Sequence, residues 1–230
     1  MNGFKGIKDF LHGADKFVVT AEYLWAFFFG FVAIACSFVV ETYVMPKTTT
    51  DQFLGGLYIN FISIAFTEEL FKWIAIKGIG DRRVRDPYDY MIIALFVNLA
   101  FTIVEDLMYT MGDPTIMMQR MVSLPVHFVA GMYAARFMGK KRTRMNAFMS
   151  IFVPTVLHGI WDYMTFLERV HLMGDMKILS IIGFVLFLYL IFLYDKAFRD
   201  LKNYQKEYIE RRFPGGIREK CVIPEALRVA

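Results

Sequence analysis

The chain has 230 residues, 57% of them hydrophobic with 24 Phe, and a formal charge of +4; its mean hydropathy is +0.42. That composition lies outside the range of an ordinary soluble domain and points to a bilayer. The basic excess does not call for nucleic acid, because the Lys and Arg residues stand at the ends of apolar runs and in the C-terminal stretch, as topology-setting charge does.

Along the chain, Phe4, Ile7 and Leu11 recur at helical spacing with Lys5 and Lys8 on other faces, which predicts a short helix at the membrane surface within an N-terminal segment 1–21. Six apolar segments follow, Tyr23–Met45, Phe53–Ile79, Tyr88–Met111, Met121–Gly139, Asn146–Leu167 and Met176–Tyr194. A crossing takes roughly 20 largely apolar residues, so each can span the hydrocarbon as a helix. The fold class expected is all-α: a polytopic bundle of about six transmembrane helices over 22–195, with a basic tail over 196–230.

Breakers at Pro46, Gly78, Gly80, Pro87, Gly112, Pro114 and Gly174 mark the joints. Lys and Arg cluster in alternate loops: Arg82, Arg83 and Arg85, then Lys140, Lys141, Arg142 and Arg144, then the tail. Both termini are therefore expected in the cytoplasm. The tail from Lys196 to Arg212 reads as a solvated or interfacial helix ended by Pro214-Gly215-Gly216. Cys36 closes an Ala33-Ile34-Ala35-Cys36 run that is like a lipoprotein cleavage site, but the apolar run continues to Val40, so an uncleaved span is expected. Cys36 and Cys221 are placed too far apart for a disulfide.

Ionisable residues interrupt four of these spans. At mid-membrane each costs at least roughly 2.5–3.5 kcal/mol on insertion scales, so each needs a partner or a purpose. The second span carries Glu68-Glu69-Leu70-Phe71-Lys72, where Lys72 lies four residues from Glu68 and three from Glu69 and can reach either. The third carries Glu105-Asp106, with Tyr109 one turn beyond Glu105 and Asp106 turned about 100° away. The fourth carries His127, and the fifth His158 with Asp162 four residues on, on one face. His12 and His171 fall outside the spans and read as surface residues.

At 1.5 Å per residue, Glu105, His127 and Asp162 each lie roughly 9 Å from the outer ends of their helices. Glu68 joins that layer if the second span begins nearer Leu57, after Gly55-Gly56, which is the expected start. The site would then open toward the non-cytoplasmic side. Gly131, Ala135 and Gly159 beside the histidines suit close helix packing.

Glu68-Glu69-x-x-Lys72, then Phe101-x-x-x-Glu105 with Tyr109, then His127, then His158-x-x-x-Asp162, in that order on successive helices, resemble the PrsW-like intramembrane proteases. Those belong to the larger superfamily of type II CAAX prenyl endopeptidases and bacteriocin-processing and immunity proteins. The resemblance covers about residues 60–165. It implies an all-α bundle that hydrolyses peptide bonds inside a bacterial-type plasma membrane, on a membrane-protein or peptide substrate such as a single-span anti-sigma factor. It assigns Glu68 as general base, with Glu69 and Lys72 completing the first motif and Glu105, His127, His158 and Asp162 filling the later ones. Glu105 and Asp162 depart from the prenyl-endopeptidase branch, where amide or histidine residues are common. Asp106 stands where the PrsW-like pattern often has Asn.

The residues support that chemistry on their own terms, because a carboxylate held near Lys72 can activate water and a histidine can stabilise the oxyanion or protonate the amine. No cofactor is required. Zinc is the alternative, with Glu105, His127, His158 and Asp162 as ligands, and ranks second because no His-Glu-x-x-His run is present. Acids and histidines in a bundle also suit a proton-coupled transporter, although the repeats and broken helices typical of carriers are missing from the sequence. A membrane scaffold that presents client proteins is the third class.

Overall fold

The structure, a computed structural model, describes residues 19–45, 52–83, 87–112, 117–140, 143–170 and 176–212. The helices are α1 (Val19–Tyr43), α2 (Gln52–Leu57), a π-helical stretch (Tyr58–Phe66), α3 (Thr67–Arg83), α4 (Pro87–Gly112), α5 (Met117–Met138), α6 (Arg144–Val170) and α7 (Met176–Arg212). Because α2, the π stretch and α3 run on without a break, the described residues form six helical rods and no strand. Local chemistry sets several ends. Pro87, with its fixed φ and no amide hydrogen to satisfy, opens α4. Thr143 caps α6, its Oγ1 accepting from the Asn146 amide at 3.1 Å.

α3 is the centre of the bundle, touching α1, α4, α5 and α6, while α4 packs along α1 and α5, and α6 packs along α5 and the π stretch. α1 approaches α4 closely at Gly30, where a Cβ would come within 2.5 Å of the Val97 carbonyl oxygen. Gly159 on α6 admits the Phe61 ring of the π stretch in the same way. The burial pattern departs from that of a soluble domain, with a charged cluster beside the apolar core and large apolar side chains on the outside. Glu68, Glu69, Lys72, His127 and His158 are buried, whereas Leu24, Trp25, Phe28, Phe38, Phe148, Phe152 and Phe192 face outward. An outward apolar band around a polar interior is what lipid solvation selects. Among the described residues, Tyr23–Tyr43 and Pro87–Met111 are long and apolar enough to cross a membrane.

Two expectations are corrected. The second rod does not start near Leu57: it is helical from Gln52, and Gly55-Gly56 does not break it. Gly56 lies against the Phe166 ring, which leaves no room for a side chain, so this glycine serves close packing. The second concerns the stretch 196–212, expected as a solvated or interfacial helix: it is helical, but it runs on from α7 and buries one face. Ala197 and Leu201 are buried there, and Tyr204 and Tyr208 pack on the same core. Arg136 on α5 pairs with Asp200 at 2.6 Å, and Tyr208 meets the Tyr88 ring with centroids 5.3 Å apart. The surface helix around Phe4, Ile7 and Leu11, the tail beyond Arg212, and His12 and His171 lie outside the described residues.

Candidate active site

The π stretch ends at Phe66, two residues before Glu68. A helix wound i to i+5 is rare, and here polar side chains bond to carbonyls of the preceding turn: Asn60 Nδ2 to Gly56 O at 2.7 Å and Thr67 Oγ1 to Ile62 O at 3.4 Å. The wider winding, packed on α6 through Phe61 and Gly159, sets the azimuth at which α3 leaves it. Glu68, Glu69 and Lys72 then project into the bundle.

Lys72, 1% exposed, is the hub. Its Nζ donates to Glu69 Oε1 at 2.9 Å and Glu68 Oε2 at 3.3 Å, lies 3.1 Å from His127 Nδ1, and sits 4.0 Å from the centre of the Phe101 ring. An ammonium has only donors, so His127 Nδ1 accepts and its proton resides on Nε2. That Nε2 is 2.9 Å from Glu105 Oε2. His158 Nδ1 is 3.0 Å from Glu69 Oε1, and its Nε2 is 3.1 Å from Asp162 Oδ2 and 3.9 Å from Glu68 Oε2. The two imidazoles meet edge to face with centroids 4.7 Å apart. All seven residues singled out in the sequence therefore lie in one contact network drawn from α3, α4, α5 and α6. Six of them are buried, and Asp162 is half-buried at its edge.

The network forms the inner wall of a cavity of about 500 Å³ between α1, the π stretch and the C-terminal half of α4. Glu68 and Glu105 are the two members of the seven that line it. Ile34, Phe38, Ile59 and Met108 supply apolar wall, as a pocket for an extended apolar segment needs. A third acid, Glu41 of α1, also lines this space, and its Oε1 is buried with no hydrogen-bond partner among the described residues. Sequence reasoning missed Glu41. The signal was present, a carboxylate one residue past Val39-Val40 in an apolar helix, but so near the end of the span it reads as an interfacial charge.

The grouping able to hold a metal differs from the set expected. Donor atoms of Glu68, His127 and His158 lie within 4.8 Å of one another. Glu105 and Asp162 instead each stand against a nitrogen of one histidine, Glu105 on His127 and Asp162 on His158. Two imidazoles and a carboxylate form a hydrolytic zinc ligand set, and carboxylates behind the imidazoles are its usual supporting shell, so the donor chemistry fits a divalent first-row ion.

The chain is similar to three curated proteins of one name. The chain is 25% identical over 150 residues to Protease PrsW of Bacillus subtilis, covering 61% of this chain and 67% of that protein. It is 21% identical over 145 residues to Protease PrsW of Clostridioides difficile, covering 56% and 61% respectively. For the protein of the same name from Halalkalibacterium halodurans the figures are 25% over 128 residues, 52% and 60%. The chain thus spans about two thirds of the length of the first relative and less of the other two. No solved structure matches it. Residues 18–193 match the family described as PrsW family intramembrane metalloprotease, a match that takes in the first five rods, the first half of the sixth and every residue of the network, and the chain belongs to that family of membrane proteases.

Proposed function

We propose that the chain is a multi-pass endopeptidase that hydrolyses a peptide bond of a single-span membrane protein, such as an anti-sigma factor, near the non-cytoplasmic face. The observation that carries this reading is the meeting of the buried network with a largely apolar cavity through Glu68 and Glu105. A substrate segment in that cavity brings its scissile carbonyl to the one wall where carboxylates and imidazoles converge. Both termini lie in the cytoplasm in this reading, as the loop charges require, and the cavity opens at the other side.

Glu68, His127 and His158 would hold a divalent ion. When bound, such an ion supplies Lewis acidity, lowering the pKa of a water and polarising the carbonyl. Lys72 would position the carboxylates of Glu68 and Glu69; of Glu69 and Asp162, which stand against the two nitrogens of His158, one would keep its contact and orient the ring while the other gave way to the ion. Glu105 is the cavity-facing carboxylate outside the donor set, and it accepts the proton of the attacking water. The low-dielectric surroundings strengthen each of these contacts.

A second reading has a specific observation in its favour. Lys72 Nζ already places a positive charge 3.1 Å from His127 Nδ1 and 3.3 Å from Glu68 Oε2. Glu68 then acts as general base without an ion, and Lys72 and the histidines stabilise the oxyanion. Both chemistries need Glu68.

The test uses purified protein in detergent with single-span substrates and cleavage read by mass spectrometry. Glu68→Gln and His158→Ala each lower the rate by about 10²–10⁴-fold, the range for loss of an acid-base or electrostatic group. A chelator abolishes cleavage and added Zn²⁺ restores it under the first reading, while cleavage persisting in chelator selects the second. Full cleavage by Glu68→Gln removes both.

A further inference from the structure

A second cavity, of about 140 Å³, lies at the other end of the bundle, where α3 and α5 end and α4 and α6 begin. Lys77 and Lys140 line it together with Trp73, Tyr90 and Asn146, and no Asp or Glu lines it among the described residues. The two ammonium groups are held there by aromatic faces: Lys77 Nζ is 4.4 Å from the Trp73 ring centre, and Lys140 Nζ is 5.1 Å from that of Phe137. Such contacts fix the position of a cation without neutralising it.

The polar wall around them is already committed. Trp73 Nε1 donates to Ser150 Oγ at 2.8 Å, and Ser150 Oγ donates to the Ala147 carbonyl at 2.7 Å. Among the described residues neither ammonium has an acidic partner. The sequence places Arg82 and Arg83 at the end of α3 and Arg85, Lys141 and Arg142 in the joining segments, against two acids, Asp81 and Asp86, so this end carries a net positive charge. The cavity suits a group of phosphate size and is too small for an acyl chain, which would lie outside along the exposed apolar flanks formed by residues such as Ile74 and Phe148. Trp73 and Tyr90 are residue types that settle at the headgroup level.

We propose that this cavity binds the phosphate of an anionic lipid headgroup through Lys77 and Lys140, a ligand site separate from the acidic cavity. The test is native mass spectrometry of the full chain in detergent, titrated with phosphatidylglycerol or phosphatidylcholine, with inorganic phosphate as competitor. The wild type retains phosphatidylglycerol in preference to phosphatidylcholine. Lys77→Ala and Lys140→Ala each weaken phosphatidylglycerol binding by about fivefold, as loss of one basic contact at a membrane surface predicts, and leave phosphatidylcholine unchanged. Lys202→Ala, on the exposed face of α7, leaves both unchanged.

Displacement of the lipid by inorganic phosphate at equal concentration makes a soluble phosphate the occupant and overturns the headgroup assignment. Equal losses in Lys202→Ala and Lys77→Ala, or none in Lys77→Ala, overturn the site. If Lys77→Ala does not fold, Lys77→Gln, which keeps a polar side chain without the charge, and the wild-type competition carry the decision.

Discussion

The two cavities share α3 and α4 as walls, yet they are built on opposite principles. In the larger one every charge but that of Glu41 belongs to a closed network: Lys72 touches two carboxylates and an imidazole, and both imidazoles touch carboxylates in turn. In the smaller one the lysines touch only aromatic rings among the described residues and keep their charge for something outside the chain. Lys72 and Lys77 are five residues apart on one helix, about 7.5 Å of rise, so the difference lies in their neighbours and not in the helix that carries them. A buried charge is tolerated only when its partners are built in, and a charge at a helix end can wait for a ligand.

Removing the hub should break the comparison most severely. Lys72→Met keeps the volume of the side chain but leaves Glu68 and Glu69 without their cation inside the bundle, and breaking a buried pair in this way costs about 3–5 kcal/mol. Thermal unfolding in detergent reads this as a large drop in midpoint. A midpoint within the error of the wild type would mean that the network is not closed as described. Gly159→Leu comes next. It removes no charge but fills the place taken by the Phe61 ring, and overpacking of this kind costs about 1–3 kcal/mol. Because the π stretch leans on that contact, cleavage falls more than stability does, and comparing Gly159→Ala with Gly159→Leu grades the effect by size.

Glu41→Gln separates function from stability. Its Oε1 is buried with no hydrogen-bond partner among the described residues, so exchanging the carboxylate for a neutral amide costs little, within about 1 kcal/mol of the wild type. If the carboxylate serves substrate in the cavity, cleavage falls while the unfolding midpoint holds or rises, the usual signature of a residue kept at the expense of stability. Unchanged cleavage would leave Glu41 a bystander on the wall.

Much of the site was legible because helical spacing is local. The i, i+3 and i, i+4 relations put Lys72 within reach of Glu68 and Glu69, and Asp162 within reach of His158, before any tertiary contact is known. Which carboxylate faces which imidazole nitrogen depends on the rotation of separate helices, and there the sequence was silent. Glu105 and Asp162, expected beside the histidines as metal ligands, each rest on one histidine, and Glu68 takes the third donor place. The π winding over Tyr58–Phe66 was equally hidden, since a run of apolar residues has the same composition in either helix. The continuation of α7 past Tyr194 was missed for a related reason. Charges on one face of Lys196–Arg212 read as solvation, but Ala197, Leu201, Tyr204 and Tyr208 form a second face that only packing reveals.

The smallest expected effect is the counterpart of the largest. Lys77→Met removes the same charge from the same helix as Lys72→Met, but what it loses within the chain is a cation–π contact with Trp73, worth about 0.5–1 kcal/mol at an accessible site. Trp73 keeps its bond to Ser150, and Met can lie along the indole, so in lipid-free detergent the midpoint moves little. Anionic lipid should then widen the gap, stabilising the wild type through its preference for the folded state and Lys77→Met much less. A large loss for Lys77→Met without lipid would show that this end of α3 is held by charge as the other end is, and the contrast between the two cavities would fail.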